Sequence, residues 1–158
     1  MAYKQPHSVQ VIVYRDGERG REYLLLKRGE SYGGFWQPVT GSLEMGETHK
    51  QAAVREVMEE TGISCSERDL IDLGLTNRFE IAPEWRKRFA PGVSHNEEVC
   101  FALEVIGREV RLDELEHVAC GWVDFDTAFE MIYWDSNRQA FLRLEKLLSW
   151  EAGPRSGS

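Results

Sequence analysis

The chain has 158 residues, 42% of them apolar, and a formal net charge of −8. That length suits one domain with a real hydrophobic core, taken as residues 1–150 with a frayed tail over 151–158. The acidic balance argues against nucleic-acid partners. No apolar run approaches the roughly 18 residues of a membrane span, and MAYKQPHSVQV has no signal-peptide pattern. Cys65, Cys100 and Cys120 are odd in number and lack metal-ligand spacing. They read as buried free thiols of a reducing cytoplasm.

Ser8 to Tyr14 alternates apolar and polar residues and predicts a strand. DGERG at Asp16 to Gly20 is turn chemistry, and YLLLK at Tyr23 to Lys27 returns as the second strand of a hairpin. A glycine-rich loop follows from Arg28 to Gly34. FWQPVT at Phe35 to Thr40 is a short strand broken by Pro38. Thr48 predicts a helix N-cap with Gln51 as capping-box partner, a helix over 49–61, and Gly62 as a left-handed C-cap. Ala53, Val54, Val57 and Met58 form its core side, with small Ala52 leaving room beside a carboxylate face. Leu70 to Ile81 is a strand running into a loop over Ala82 to His95. Glu98 to Val105 and His117 to Phe125 are further strands. Asp126 caps a short helix, and Ser136 or Asn137 caps a last one with a Phe141, Leu144, Leu147, Leu148 core stripe. The sum is a mixed α/β (α+β) domain with helices packed on a central sheet.

Gly41 to Ile63, GSLEMGETHKQAAVREVMEETGI, holds the chemistry. Glu56, Glu59 and Glu60 sit at i, i+3 and i+4, within one arc of roughly 100° on a helix. Like charges at that spacing repel, so they either stay in water or serve a cation. Hard divalent cations such as Mg²⁺ take oxygen ligands. The pattern Gly41, Glu47, Arg55, Glu56, Val57, Glu59, Glu60, Gly62, Ile63 resembles the Nudix box at every position. The resemblance implies a Nudix fold, with a mixed β-sheet packed between α-helices. It implies a Mg²⁺-dependent hydrolase, with Mn²⁺ as a possible substitute, in which water attacks phosphorus. It makes Glu56 and Glu60 the main metal ligands and Glu59 a further ligand or the group acting on the water. Arg55, paired with Glu47, orients the carboxylates.

Flanking pieces resemble a narrower group, the bacterial dihydroneopterin triphosphate diphosphatases. They are YKxP at Tyr3 to Pro6, FWQxVTGS at Phe35 to Ser42, FEI at Phe79 to Ile81, RxxAPGV ending at Val93, Glu116-His117, and SNRQA at Ser136 to Ala140. This narrower resemblance implies a pterin triphosphate substrate of folate biosynthesis. Lys4, Arg28, Thr40 and Ser136 would contact it, Phe79, Glu80, Ile81 and Ala82 would line the pterin end, and Glu116 would complete the metal site. An extra residue before SNRQA sets Ser136 out of register with that pattern. As single residues Lys4 and Arg28 read more often as solvated surface and Glu116 equally as an exposed strand-end acid, while Phe35, Trp36 and Phe79 suit stacking on a flat ring, with core packing the equal alternative for Trp36. His95 and His117 read as ordinary surface or loop histidines. Nucleoside triphosphates and dinucleoside polyphosphates remain alternative substrates, because the box handles phosphates and the flanks choose the base. A non-catalytic binding module would be expected to have lost box glutamates. The partner is a small-molecule triphosphate, with the protein a monomer or homodimer.

Overall fold

The computed structural model describes residues 3–107, 110–111 and 117–151. Strand β1 (His7–Gly17) turns at once into β2 (Gly20–Arg28), then β3 (Trp36–Gln37) and β4 (Val39–Ser42). Helix α1 (His49–Thr61) follows, then β5 (Ile71–Glu80), β6 (His95–Glu104) and β7 (His117–Val123). Helices α2 (Phe125–Met131) and α3 (Asp135–Glu151) close the chain. Short 3-10 turns at Glu30–Tyr32, Glu67–Asp69 and Pro83–Arg88 lie between strands.

The seven described strands form one mixed sheet, β3-β2-β1-β6-β5, with β4 on β1 and β7 on β2. Among the described strands only β1 and β6 pair in parallel. β1 pairs with β2 near the hairpin, from Tyr14↔Tyr23 to Gly17↔Gly20. Beyond that the two long strands part. β4 pairs the Ser8–Val11 half of β1, and β3 pairs Leu26 and Lys27 of β2. Pro38, which has no N–H for a ladder, sits where the inserted chain crosses from one to the other. The parting delivers Gly41 beside α1.

Alternation in β1 sends side chains to two cores, because helices cover both faces. Val9, Val11 and Val13 pack with Ala53 and Val57 of α1. Ile12 and Tyr14 pack with Phe141 and Leu144 of α3, where Leu147 and Leu148 add partly buried contact. The mixed α+β architecture is therefore the expected one, and no described helix is long and apolar enough to cross a membrane.

Several local expectations are corrected. Asp124, not Asp126, caps α2: its side chain accepts from the Thr127 N–H at 2.8 Å. α3 begins at Asp135, so Ser136 and Asn137 lie inside its first turn rather than capping it. Met58 is 42% exposed, while Ala52 is fully buried in the core and leaves no room for a ligand. The sheet approaches α1 from the Ala52–Glu56 side, which rotates the buried face toward the carboxylates. Cys100 is buried, Cys65 intermediate and Cys120 exposed, because alternate residues of β7 (Val118 is another) face outward. Residues 152–158 of the expected tail lie outside the described residues, and Glu151 ends α3.

Candidate active site

α1 is fixed at both ends by its own sequence. The Gln51 N–H donates to Thr48 Oγ1 at 3.1 Å, and the Thr48 N–H donates to Gln51 Oε1 at 2.9 Å. Gly62 takes φ 76°, and its N–H donates to the Met58 carbonyl. These caps satisfy helix-end groups that water would otherwise have to serve.

Arg55 is the hub. Its Nε and Nη2 grip Glu47 at 2.8 and 2.9 Å, a bidentate fork. Nη2 also reaches the Ser42 carbonyl at 3.0 Å, and Nη1 donates to Glu56 at 2.5 Å and Glu59 at 3.2 Å. Arg55 thereby ties the loop after β4 to α1, and Glu44 adds an ion pair at 3.5 Å. The guanidinium holds the Glu47 carboxyl below the usual carboxylate range. In return Glu47, then Glu56, push the Arg55 pKa further up, opposed by burial.

Glu56 and Glu60 are only 9% and 2% exposed. Burial raises the Glu56 pKa, while hydrogen bonding to Glu60 and Arg55 opposes the rise. Two carboxylates buried one helical turn apart are costly unless positive charge or a proton joins them. A Cβ on Gly41 would lie within 3.0 Å of all three atoms of the Glu56 carboxyl group, so only glycine leaves that carboxylate its place. This all-oxygen cradle fits a hard divalent cation. Glu59 sits more in the open, its side chain 51% exposed, and leans to Arg55. Among the described residues no group of three or more His, Cys, Asp or Glu side chains converges on one point. Glu116, the further expected ligand, lies outside the described residues.

His117 is corrected from surface histidine to buried partner. Its side chain is 0% exposed, and Nε2 stands 3.5 Å from Glu60 Oε1. Nothing in its sequence spacing announces this. The contact arises because β7 joins the sheet on β2, pairing His117 with Arg28.

The expected substrate residues are not brought together at one place. Arg28 lies beside His117 and so borders the carboxylates, whereas Thr40, which accepts from Gln37 Nε2 at 3.2 Å, pairs with Gln10 and faces the α3 side of the sheet. Lys4, Phe79, Glu80, Ile81 and Ala82 gather at the far end of β5. There the Lys4 N–H donates to the Arg88 carbonyl, and Lys4 Nζ lies 5.8 Å from the Phe89 ring. Arg86 pairs with Glu80 and donates to the Ile81 carbonyl at 3.0 Å, so this arginine is committed to its own loop. Ile81 is buried and Phe79 is 37% exposed. The Ser136 carbonyl accepts from Asn77 at 3.1 Å, on the α3 side of the sheet. Trp36 packs against the α3-side core, as its core alternative required. A hollow of about 440 Å³ lies elsewhere, lined by Ile63, Cys65, Leu103 and Val105.

Sequence reasoning missed His117, the Ser42 carbonyl and a buried polar group formed by Gln10, Asn77 and Glu98. A polar residue inside an apolar β1 run, Gln10 among valines, was the one available signal.

The sequence profile of the NUDIX domain matches residues 4–144. A dihydroneopterin triphosphate diphosphatase of Escherichia coli is 41% identical over 140 residues, covering 87% of this chain and 91% of its own. One from Haemophilus influenzae is 36% identical over 143 residues, covering 89% and 87%. The solved structure of the E. coli dihydroneopterin triphosphate pyrophosphohydrolase superposes with a TM-score of 0.77 at 40% identity, over 89% of this chain and 95% of that one. With the box residues assembled on α1 by Arg55 and the match running nearly end to end, this chain belongs to the NUDIX family, as a hydrolase closely related to those diphosphatases.

Proposed function

We propose that this protein hydrolyses dihydroneopterin triphosphate to dihydroneopterin monophosphate and pyrophosphate, a step of folate biosynthesis. The observation that carries the reading is the buried Glu56–Glu60 pair, aligned by Arg55 against the Gly41 backbone. The names of the relatives supply the substrate. Glu56 and Glu60, with Glu59 and Glu116, would hold Mg²⁺, for which Mn²⁺ can substitute. When bound, the cation neutralises phosphate charge and lowers the pKa of a bound water.

The chain's own residues do the rest. Arg55 and Glu47 hold the Glu56 carboxylate in one rotamer, so that its lone pairs need no reorganisation during turnover. Glu59, the exposed member, takes the proton as a water oxygen bonds to phosphorus and the bridging P–O bond breaks toward pyrophosphate. Arg28, beside the carboxylates, brings positive charge for the triphosphate, Lys4 contacts the substrate from the far end of β5, and Thr40 offers it a hydroxyl from the α3 face of the sheet. Phe79, Glu80, Ile81 and Ala82, with Ser136, border the pterin end. The three free thiols support a reducing, cytoplasmic setting.

The test is a side-by-side comparison of kcat/KM for dihydroneopterin triphosphate and the common nucleoside triphosphates with Mg²⁺. The pterin should win by at least about tenfold, the scale of a specific pocket contact. A nucleotide that clearly won would overturn the substrate while leaving the hydrolase standing.

A further inference from the structure

The face of the sheet opposite α1 carries a band of polar side chains that the hydrolysis does not use. Thr40 of β4 pairs with Gln10 of β1, Ser8 of β1 with Glu98 of β6, and Glu98 with Asn77 of β5. Directly paired residues project to the same face. Ile12, Cys100 and Ala102 put that face under α3, with Phe141 and Leu144. The band is deep: Gln10 is 0% exposed, Glu98 5% and Asn137, from the first turn of α3, 2%.

Its hydrogen bonds are unevenly supplied. Gln10 Nε2 donates to Glu98 Oε1 at 2.9 Å. Asn77 Nδ2 donates to the Ser136 carbonyl, which ties the band to the start of α3. Among the described residues Gln10 Oε1 and Asn137 Oδ1 accept nothing, though both are buried. A purely structural network would balance donors and acceptors, because buried polar groups left unmade are costly. Here the Gln10 amide oxygen beside Glu98 is left as an unserved acceptor. Burial raises the Glu98 pKa to about 7, with hydrogen bonds from Gln10 and Asn77 opposing.

The rim of the band consists of residues already placed at the substrate. Thr40 stands at one end, and Phe79 and Ser136 at the other. Aromatic faces gather beside the start of α3, with Phe35 stacked on Tyr133 at 4.4 Å and Trp85 6.0 Å from Trp134. Flat heterocycles bind between such faces, with polar groups reading their edges.

We infer that Glu98, flanked by Gln10 and Asn77, reads the donor edge of the substrate's ring, and thereby selects a 2-amino-4-oxo heterocycle over a 6-aminopurine. The inference rests on the pterin reading above. The 2-amino group and the adjacent ring N–H form two parallel donors that match the two oxygens of a carboxylate. Adenine offers one donor beside a ring-nitrogen acceptor, which would face a carboxylate oxygen and be repelled. Specificity of this kind is strong because the wrong ring leaves buried polar groups unmade. Entry parts the Asn77–Ser136 hydrogen bond, and the ring's own bonds replace it.

The experiment measures kcat/KM for dihydroneopterin triphosphate, GTP and ATP with Mg²⁺ in wild type, Glu98→Gln and Gln10→Leu, with thermal melts to check folding. GTP is included because guanine carries the same donor edge. Glu98→Gln should lower the pterin-to-ATP ratio about 100-fold and the GTP-to-ATP ratio in parallel, and Gln10→Leu should lower the pterin-to-ATP ratio about tenfold. An unchanged ratio in a folded Glu98→Gln protein overturns the inference while the substrate reading stands. Should Glu98→Gln fail to fold, Gln10→Leu decides by the same ratio. A wild type that prefers ATP to the pterin sinks the substrate reading, and this inference with it.

Discussion

α1 and the polar band across the sheet from it both bury carboxylates, and they are built in opposite ways. Glu56 and Glu60 are four residues apart on one capped helix, and Arg55, their organiser, is adjacent in sequence. Glu98 owes its surroundings to Gln10, 88 residues away, and to Asn77 across a strand pairing. The first arrangement survives anywhere the helix does. The second exists only once β1, β5, β6 and α3 have met. On the proposed reading, phosphate hydrolysis is carried by a local module and ring recognition by tertiary assembly, so substrate could change without touching the reaction.

The largest test of that division is Glu60→Gln. We expect kcat to fall about 10³-fold, the scale of removing one preorganised charge-stabilising group, while circular dichroism and the thermal midpoint hold. The loss should be equal for pterin and nucleotide substrates, unlike that of Glu98→Gln. Full turnover in this variant would remove Glu60 from the metal site.

The second test probes the band through stability. The Glu98 pKa stands at about 7 in the folded protein against 4.5 for the free side chain. The folded state therefore binds a proton that the unfolded chain releases between those values. This group's favourable effect is complete below about pH 4.5 and is lost as pH rises through about 7, a swing on the order of 3 kcal/mol. Glu98→Gln keeps an acceptor for Gln10 without the charge. Its unfolding free energy should equal that of wild type near pH 4.5 and exceed it at pH 8, as read by denaturant melts at both pH values. A difference that did not vary with pH would show that Glu98 is ionised without strain in the fold.

The same contrast governs what the sequence could reveal. α1 was legible to the residue, Thr48 to Gly62, because caps and 3.6-residue periodicity are local signals. The central strands were legible by alternation, to within three residues at their ends. The Nudix box supplied Glu47, Arg55 and the three helix glutamates. What failed was whatever depends on who lies opposite. A helical wheel puts Ala52 on the ligand side because it shows angles and not which side the sheet approaches. Spacing alone leaves His117 on the surface because its partner Glu60 lies on a different element. Asp124 lost to Asp126 as the α2 cap for an ordinary reason: two acids two residues apart offer the same chemistry, and strand exit decides between them.

Gly41 is the point where the two kinds of construction touch, and it gives the finest test. It belongs to β4, placed by pairing with Val9, yet the space it leaves is filled by the Glu56 carboxyl group of α1. Its backbone angle does not demand glycine, since it is absent from the positive-φ residues. A methyl group there should therefore act by displacement alone. Gly41→Ala should cost about 1–3 kcal/mol of stability, the range for overpacking a filled site, and lower kcat by about tenfold as Glu56 shifts off Arg55. The pterin-to-ATP ratio should stay at the wild-type value, because the band lies on the other face of the sheet. Steady-state kinetics with both substrates decide the matter. If the ratio moved with kcat, the carboxylates of α1 and the band behind the sheet would be one coupled site, and the separation of reaction from recognition would fail.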